Sequence, residues 1–180
     1  VTISDINSEA VKAIAENEGW HGVYHDAGSE EDWRRVMDEI KDRYGRLDVL
    51  VNNAGIGQAP GDIESQSLEA YHNVLRVSLD SVFIGSKLAI EIMKDKGGAI
   101  INMSSIHGIK AAPHEAAYTA AKAGVRLLTK SVAAHCAHSG YGIRVNSVHP
   151  GYILTSFLKK WIEEADDSAA LRDSLISQHP

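Results

Sequence analysis

The sequence predicts a doubly wound α/β fold, in which helices cover both faces of a parallel sheet. Short apolar segments alternate strictly with longer amphipathic ones along the 180 residues, and this alternation is typical of βαβ units. The short segments are nearly all apolar, as strands covered on both faces are. We expect a single domain, because the length suits one and a hydrophobic fraction of 44% suffices for a core.

Strands and helices are expected in regular alternation. The strands are predicted at 1–4, 21–25, 48–52, 99–104 and 143–148. Helical periodicity occurs at 7–18, 29–44, 65–95, 115–139 and 155–177. Either Asp5 or Asn7 is suited to capping the first helix, and Ser29 to capping the second.

Charge and cysteine content argue against several classes of protein. With 18 basic and 24 acidic side chains, the net charge of −6 disfavours nucleic acid or an anionic membrane as a partner. The single cysteine, Cys136, excludes an internal disulfide framework and suits a reducing compartment. The nine histidines form no H-E-x-x-H pattern, so we expect no metal site. No apolar run reaches the roughly 18 residues of a membrane helix, and we expect a soluble, cytoplasmic protein.

Two carboxylates follow the first two strands, at the end of a parallel sheet where ligands bind. Asp5 follows the first strand, and Asp26 follows the second within His25-Asp26-Ala27. A carboxylate at an early strand tip accepts hydrogen bonds from both hydroxyls of an adenosine ribose and repels a 2′-phosphate. Helix capping is the alternative interpretation.

Small and amide residues follow the third strand, and a turn follows the fifth. In Asn52-Asn53-Ala54-Gly55 the amides are suited to pinning neighbouring strands, and the small residues let the backbone approach a flat ligand. A plain turn is the alternative. Pro150-Gly151 turns the chain and exposes backbone that a carboxamide would pair with.

The fourth strand and the following helix carry the residues best suited to proton transfer. Tyr118 and Lys122 are four residues apart and therefore share one helix face. A neighbouring ammonium lowers the pKa of a phenol, which then exchanges a proton with an alcohol or alkoxide. A serine of Ser104-Ser105, at the strand end, is suited to holding the substrate oxygen. A solvated helix face is the alternative for the Tyr-x-x-x-Lys pattern.

Taken in order, these segments resemble the classical short-chain dehydrogenases/reductases from Asp5 to about Thr155. The family places its serine 13 positions before the tyrosine, which selects Ser105 over Ser104. Within the family, the chain looks most similar to bacterial hydroxysteroid and cyclic-alcohol dehydrogenases. The matching segments are Asp5, His25-Asp26-Ala27, Asn52-Asn53-Ala54-Gly55, Ile101-Asn102-Met103-Ser104-Ser105, Tyr118-x-x-x-Lys122 and the Arg-Val-Asn-Ser-Val-His-Pro-Gly of 144–151.

The resemblance implies an NAD-dependent oxidoreductase that interconverts a secondary alcohol and a ketone. Tyr118 would be the general acid/base, Lys122 would lower its pKa and bind the nicotinamide ribose, and Ser105 would orient the substrate oxygen. Asp5 favours NAD over NADP. In relatives the helices at 65–95 and 115–139 pair between subunits, which implies a homodimer or homotetramer. The residues expected to line the dinucleotide, besides Tyr118 and Lys122, are Asp5, Asp26, Ala27, Asn53, Gly55, Pro150, Gly151, Ile153 and Thr155.

Two other functions remain open at this stage. One is an NADPH-dependent 3-oxoacyl thioester reductase, which the charge of Asp5 opposes. The other is a non-catalytic dinucleotide-binding scaffold, which the presence of Ser105, Tyr118 and Lys122 opposes. His107 and His114 lie between the serine and the tyrosine, where they either border the substrate pocket or belong to a surface loop.

The sequence departs from the family at two points. The glycine-rich phosphate loop, Thr-Gly-x-x-x-Gly-x-Gly, would lie one βα unit before Val1, in the middle of the sheet. We therefore expect a chain clipped at both ends, without its first βα unit and final strand, in which the strands at 1–4 and 48–52 have unpaired edges. Ser78 stands where the family has an asparagine that supports a water chain from the lysine. Because serine is shorter, we expect that relay to be slowed or rearranged.

Overall fold

The computed structural model describes residues 1–57, 62–163, 165 and 167–177. A π-helical turn covers Arg76–Asp80, and a 3₁₀ turn covers Ile106–Gly108. The strands are β1 (Thr2–Asp5), β2 (His21–Tyr24), β3 (Val49–Asn52), β4 (Gly98–Met103) and β5 (Ile143–Val148). The helices are α1 (Ser8–Glu18), α2 (Glu30–Tyr44), α3 (Leu68–Leu75), α4 (Ser81–Met93), α5 (Ala116–His138), α6 (Ser156–Glu163) and α7 (Ser168–Ser177).

The strands form two parallel sheets. In one sheet β1 pairs with β2, and in the other β4 lies between β3 and β5. No hydrogen-bonded pairing joins β1 to β3 among the described strands, and the sequence predicts unpaired edges at these two strands. Val49 and Val51 of β3 are exposed. The expectation of coverage on both faces is therefore wrong for β3, because no described element packs over these two side chains.

The first two helices begin and end at residues with clear capping roles. Asn7 Oδ1 accepts a hydrogen bond from the backbone N–H of Ala10 at 3.0 Å, so Asn7 rather than Asp5 caps α1. Ser29 caps α2 in the same way. Both helices end at a glycine in the left-handed region, Gly19 or Gly45, a conformation that other residues adopt only at a cost.

The long helices predicted at 65–95 and 155–177 are each more than one element. The first begins only after Ser67, whose hydroxyl caps α3, and it widens into the π-helical turn Arg76–Asp80 before continuing as α4. The second contains α6 and α7, and the carboxylate of Asp167 accepts the backbone N–H of Ala170 in the first turn of α7. Within the described residues, no helix combines the length and apolar character that a membrane span needs.

The main core lies between β4, β5 and the helices α2, α4 and α5. Packing of α2 on α4 joins the two sheets, because the side chains of both helices belong to one buried cluster. A Cβ at Gly85 would lie 2.5 Å from Asn52 Oδ1 and 2.6 Å from the Trp33 ring, so only glycine lets α4 approach this closely. The buried cluster consists of Trp33, Met37, Leu88, Ala89, Met93, Ile100, Cys136, Ile143 and Val145.

A chain of buried polar side chains fixes β3, β4 and α5 relative to one another. Asn52 Nδ2 donates to Asn102 Oδ1 at 2.8 Å, and Asn102 Nδ2 donates to Thr129 Oγ1 at 2.9 Å. The Thr129 hydroxyl in turn donates to the carbonyl of Val125 at 2.7 Å. Because buried polar groups are costly without partners, this polar ladder of Asn52, Asn102 and Thr129 specifies one register for the three elements.

We expect Asn102→Ala to lower the free energy of unfolding by about 1–3 kcal/mol, because it removes the partners of two buried groups. Urea unfolding followed by circular dichroism measures this change. Asn146→Ala is the matched control, since Asn146 is exposed on the neighbouring strand β5, and it should change stability by less than about 0.5 kcal/mol. Equal effects of the two variants would contradict the structural role of the ladder.

Candidate active site

The site is built where the end of β4 meets the first turns of α5. A Cβ at Gly108 would lie 2.5 Å from Ser104 Oγ and 2.7 Å from the Lys122 carbonyl oxygen, so only glycine lets the 3₁₀ turn pack directly on α5. Ser104 donates its hydroxyl proton to that same carbonyl oxygen at 2.8 Å. Of the two serines, Ser104 therefore fastens the strand to the helix, and Ser105 is the one beside Tyr118.

Ser105 lies close enough to Tyr118 for its hydroxyl to influence the pKa of the phenol. The Ser105 oxygen also accepts the backbone N–H of His107 at 3.1 Å, which holds the hydroxyl at the strand end. Burial raises the pKa of Tyr118 above its ordinary value, the hydrogen bond with Ser105 lowers it, and the carboxylate of Glu115 raises it. Since burial is the largest of these effects, the phenol stays protonated at neutral pH.

Lys122 is buried on the same face of α5 as Tyr118. Its Nζ donates to the Met103 carbonyl at 2.8 Å and lies 5.6 Å from the centre of the Tyr118 ring. Burial lowers the pKa of Lys122 to about 8. The protonated, charged form of Lys122 therefore still predominates at pH 7. Lys122 is expected from the sequence to lower the pKa of Tyr118, whereas in this structure the burial of the phenol is the largest effect and raises that pKa.

The loop after β3 lies against Lys122 and is held by Ser78. A Cβ at Gly55 would come within 3.3 Å of Lys122 Nζ, so glycine keeps space open beside the ammonium. Ser78 is fully buried in the π-helical turn; its hydroxyl accepts from the N–H of Ile56 at 3.1 Å and donates to the Ile56 carbonyl at 3.2 Å. Ser78 thus bonds to both backbone groups of this loop residue, while Asn53 is exposed.

The residues expected at the adenosine end lie after β1 and β2. Asp5 is exposed, and its Oδ1 accepts the N–H of Asn7 at 2.9 Å. Asp26 accepts the N–H of Gly28 at 2.8 Å and forms an ion pair with Arg76 at 3.2 Å. The carboxylate of Asp5 is thus open to solvent, and that of Asp26 is held by partners within the protein.

Ala27 follows Asp26 in the sequence and is buried, whereas Asp26 is partly exposed. The Ala27 carbonyl oxygen accepts the indole N–H of Trp33 at 2.8 Å. The protein therefore already uses the carbonyl of Ala27 for a hydrogen bond between the strand end and α2.

The segment after β5 connects the site to α6. The Pro150 carbonyl accepts the N–H of Ile106 at 2.9 Å, which joins this segment to the 3₁₀ turn. Thr155 Oγ1 accepts the N–H of Leu158 at 3.3 Å and so lies at the start of α6. Gly151 and Ile153 are exposed.

The residues that are present fit the two ends of a nicotinamide dinucleotide. At one end the exposed carboxylate of Asp5 is a suitable acceptor for ribose hydroxyls. At the other end, Gly55 keeps open a cradle beside Lys122 Nζ that a Cβ would fill. The 180 residues contain no glycine-rich phosphate loop of the family pattern.

A second group of polar side chains surrounds Tyr118. His107 is buried, and its Nδ1 lies 2.5 Å from Glu115 Oε2 while its Nε2 lies 3.3 Å from the Tyr152 hydroxyl. Of the two histidines that the sequence left open, His107 therefore lies beside Tyr118, and His114 is exposed. Glu115 was not predicted, and its only sequence signal is its position three residues before the tyrosine.

Comparison with known proteins agrees with this geometry. Residues 1–180 match the protein-family model described as enoyl-(acyl carrier protein) reductase. The sequence is 44% identical over 161 residues to a 3-beta-hydroxysteroid dehydrogenase of Comamonas testosteroni, covering 88% of this chain and 63% of that one. The chain belongs to the short-chain dehydrogenase/reductase family. The expected similarity to bacterial hydroxysteroid dehydrogenases is thereby confirmed.

One further relative and one solved structure extend the comparison. An NADP-dependent (R)-specific alcohol dehydrogenase of Lentilactobacillus kefiri is 39% identical over 178 residues, covering 98% of this chain and 70% of that one. The crystal structure of a short chain dehydrogenase from Mycobacterium smegmatis superimposes with a TM-score of 0.77 at 33% identity, covering 83% of this chain and 65% of that one. The chain thus spans about two thirds of the length of these relatives. The fold class predicted from the sequence is confirmed.

A buried histidine supports the strand end that carries Asp26. The His25 Nδ1 lies 3.1 Å from Ser4 Oγ, and its ring packs edge-on against Trp33 with the ring centres 4.4 Å apart. No described residue hydrogen-bonds its Nε2. Burial lowers the pKa of His25 below its ordinary value, an effect larger than the opposing one of Asp32.

We expect stability to fall as the pH drops below about 6.5, because there the unfolded chain binds a proton that buried His25 resists. His25→Gln should remove part of the difference in unfolding free energy between about pH 7.5 and pH 5.5. Urea unfolding at both pH values measures it. His72→Gln, at an exposed histidine, should leave the difference unchanged; the same pH dependence in both variants would refute this assignment.

Proposed function

We propose that the protein is an NAD-dependent oxidoreductase that interconverts a secondary alcohol and a ketone. The observation that carries the proposal is the convergence of Ser105, Tyr118 and Lys122 at the end of β4, with the Gly55 loop beside them. The relatives named as a hydroxysteroid and an alcohol dehydrogenase support this class of substrate.

In this proposal each side chain has a separate task. The cofactor, when bound, supplies or accepts the hydride. Ser105 holds the substrate oxygen by a hydrogen bond, and Tyr118 donates its proton to that oxygen during ketone reduction. Because burial keeps the pKa of Tyr118 high, the protonated phenol needed for donation is the populated form. In alcohol oxidation Tyr118 takes the proton, and the charge of Lys122 stabilises the resulting phenolate.

The preference for NAD rests on Asp5. Its exposed carboxylate at the end of β1 suits ribose hydroxyls and repels a 2′-phosphate. The alternative is an NADPH-dependent 3-oxoacyl thioester reductase. The NADP-dependent relative supports its cofactor, and the family description shares with it only an acyl thioester as substrate.

We also propose self-association as a homodimer or homotetramer through α4 and α5, supported by their exposed Phe83 and Leu127.

Replacing Tyr118 by phenylalanine is the direct test of proton transfer. Tyr118→Phe should lower kcat by roughly 10²–10⁴-fold, because the general acid/base is lost, while NADH binding measured by fluorescence stays unchanged. Tyr141→Phe, between α5 and β5, is the control and should keep its activity. A Tyr118→Phe variant as active as its parent would instead support the non-catalytic scaffold.

Replacing Asp5 tests the cofactor. We expect the ratio of kcat/KM for NADH to that for NADPH to exceed one. Asp5→Ser should lower this ratio, because it removes the repulsion between the carboxylate and the 2′-phosphate of NADPH. Each ~1.4 kcal/mol of repulsion removed lowers the ratio tenfold. Steady-state rates with each cofactor measure it. Glu9→Gln removes an exposed carboxylate in the first turn of α1 and should leave the ratio unchanged. A ratio below one in the parent protein would favour the thioester reductase.

A further inference from the structure

His149 lies directly after β5 and contacts the backbone of Ser105. Its Nδ1 lies 3.1 Å from the Ser105 carbonyl oxygen, and its Nε2 lies 2.9 Å from Ser147 Oγ. The imidazole is partly buried, and Ser105 is buried at the start of the 3₁₀ turn. This side chain therefore joins the end of β5 to the serine that is proposed to hold the substrate oxygen.

Chemistry fixes the direction of the hydrogen bond between His149 and Ser105. A carbonyl oxygen only accepts hydrogen bonds, so the contact is favourable only when Nδ1 carries the hydrogen. The other neutral tautomer would set the Nδ1 lone pair against that oxygen. The Ser147 hydroxyl is both a donor and an acceptor, so it pairs with Nε2 whether or not that nitrogen is protonated. Neutral and charged imidazole therefore donate alike to Ser105.

The carbonyl oxygen of Ser105 accepts two hydrogen bonds. The N–H of Gly108 donates to it at 2.9 Å within the 3₁₀ turn, and His149 Nδ1 is the second donor. A carbonyl oxygen has two lone pairs, so both are used. These two bonds hold the peptide group of Ser105 in one orientation, and the direction of its Cα–Cβ bond, which carries the hydroxyl, follows from that orientation.

The backbone on either side of this carbonyl is also held by the segment that follows β5. The N–H of Ser104 donates to the Val148 carbonyl at 2.8 Å, and the N–H of Ile106 donates to the Pro150 carbonyl at 2.9 Å. Pro150 has no backbone N–H and cannot donate in return. The side chain of His149 supplies a donor between these two bonds.

We propose that His149 is a positioning residue that holds Ser105 by its backbone carbonyl and so places the hydroxyl that binds the substrate oxygen. This inference rests on the proposed function, because it concerns how the same site orients its substrate. His149 acts through the serine and needs no contact with the reacting atoms. A displacement of about 1 Å in a group that orients the substrate costs roughly 10²-fold in rate.

Two amide substitutions of His149 provide the test, with the reduction of cyclic ketones by NADH as the assay. Asparagine places its Nδ2 where the imidazole has Nδ1, so His149→Asn keeps a donor for the Ser105 carbonyl and should keep kcat within about threefold of the parent. Glutamine places its amide nitrogen near the position of Nε2, so His149→Gln should lower kcat roughly ten- to a hundredfold. KM for NADH should change little in either variant, because Ser105 holds the substrate and not the cofactor.

A double-mutant cycle with Ser105→Ala separates positioning from a purely structural role. His149→Gln should lower kcat in the parent and have little further effect once the Ser105 hydroxyl is absent. Equal losses in both backgrounds would overturn the inference, as would equal effects of His149→Asn and His149→Gln. The control is His138→Gln at an exposed histidine of α5, which should leave kcat unchanged.

A second measurement needs no turnover and uses the parent protein alone. If the parent reduces no cyclic ketone, the proposed function fails, and the ring ¹⁵N signals of His149 then decide whether it holds Ser105. They decide the same question if His149→Gln does not fold. A hydrogen on Nδ1 is the expected result. An imidazole with its hydrogen on Nε2 alone cannot donate to the Ser105 carbonyl and would overturn the inference.

Discussion

The hydrogen bonds that run from Asn52 through Asn102 to Thr129 hold β3, β4 and α5 in one arrangement. All three side chains are buried, where an amide or hydroxyl without a partner costs roughly 1–3 kcal/mol. A shift of α5 by one turn would separate Thr129 from Asn102, and a slip between the strands would separate Asn52 from Asn102. Apolar packing alone tolerates such shifts far better, so the polar ladder gives these elements a single register.

The register of α5 determines the geometry of the candidate active site. Tyr118, Lys122 and Thr129 lie on one face of the helix, so the hydrogen bond at Thr129 also fixes the other two side chains near the end of β4. At that end, Gly108 and the bond from Ser104 to the Lys122 carbonyl draw the 3₁₀ turn onto the helix. Ser105 and His107 follow the end of β4, and this packing brings both of them next to the phenol of Tyr118.

The sequence predicts those features that depend on local pattern. The strands, the first two helices and the shared helix face of Tyr118 and Lys122 follow from periodicity, caps and spacing. The choice of Ser105 and the unpaired edges of β1 and β3 rest on the resemblance to the family. The contacts of His107 with Glu115 and Tyr152 were not predicted, because these groups meet only after the chain has folded. The pKa of Tyr118 likewise depends on its burial, which the spacing of tyrosine and lysine does not reveal.

Deuterium transfer tests the central claim most directly. The protein would be incubated with NADH deuterated at C4, in separate samples for the two faces of the ring, and with a mixture of cyclic ketones. Mass spectrometry of the products follows. The account predicts secondary alcohols one mass unit heavier from one of the two samples, and none from Tyr118→Phe. Alcohols without deuterium in either sample, or no alcohol from the parent protein, would contradict it.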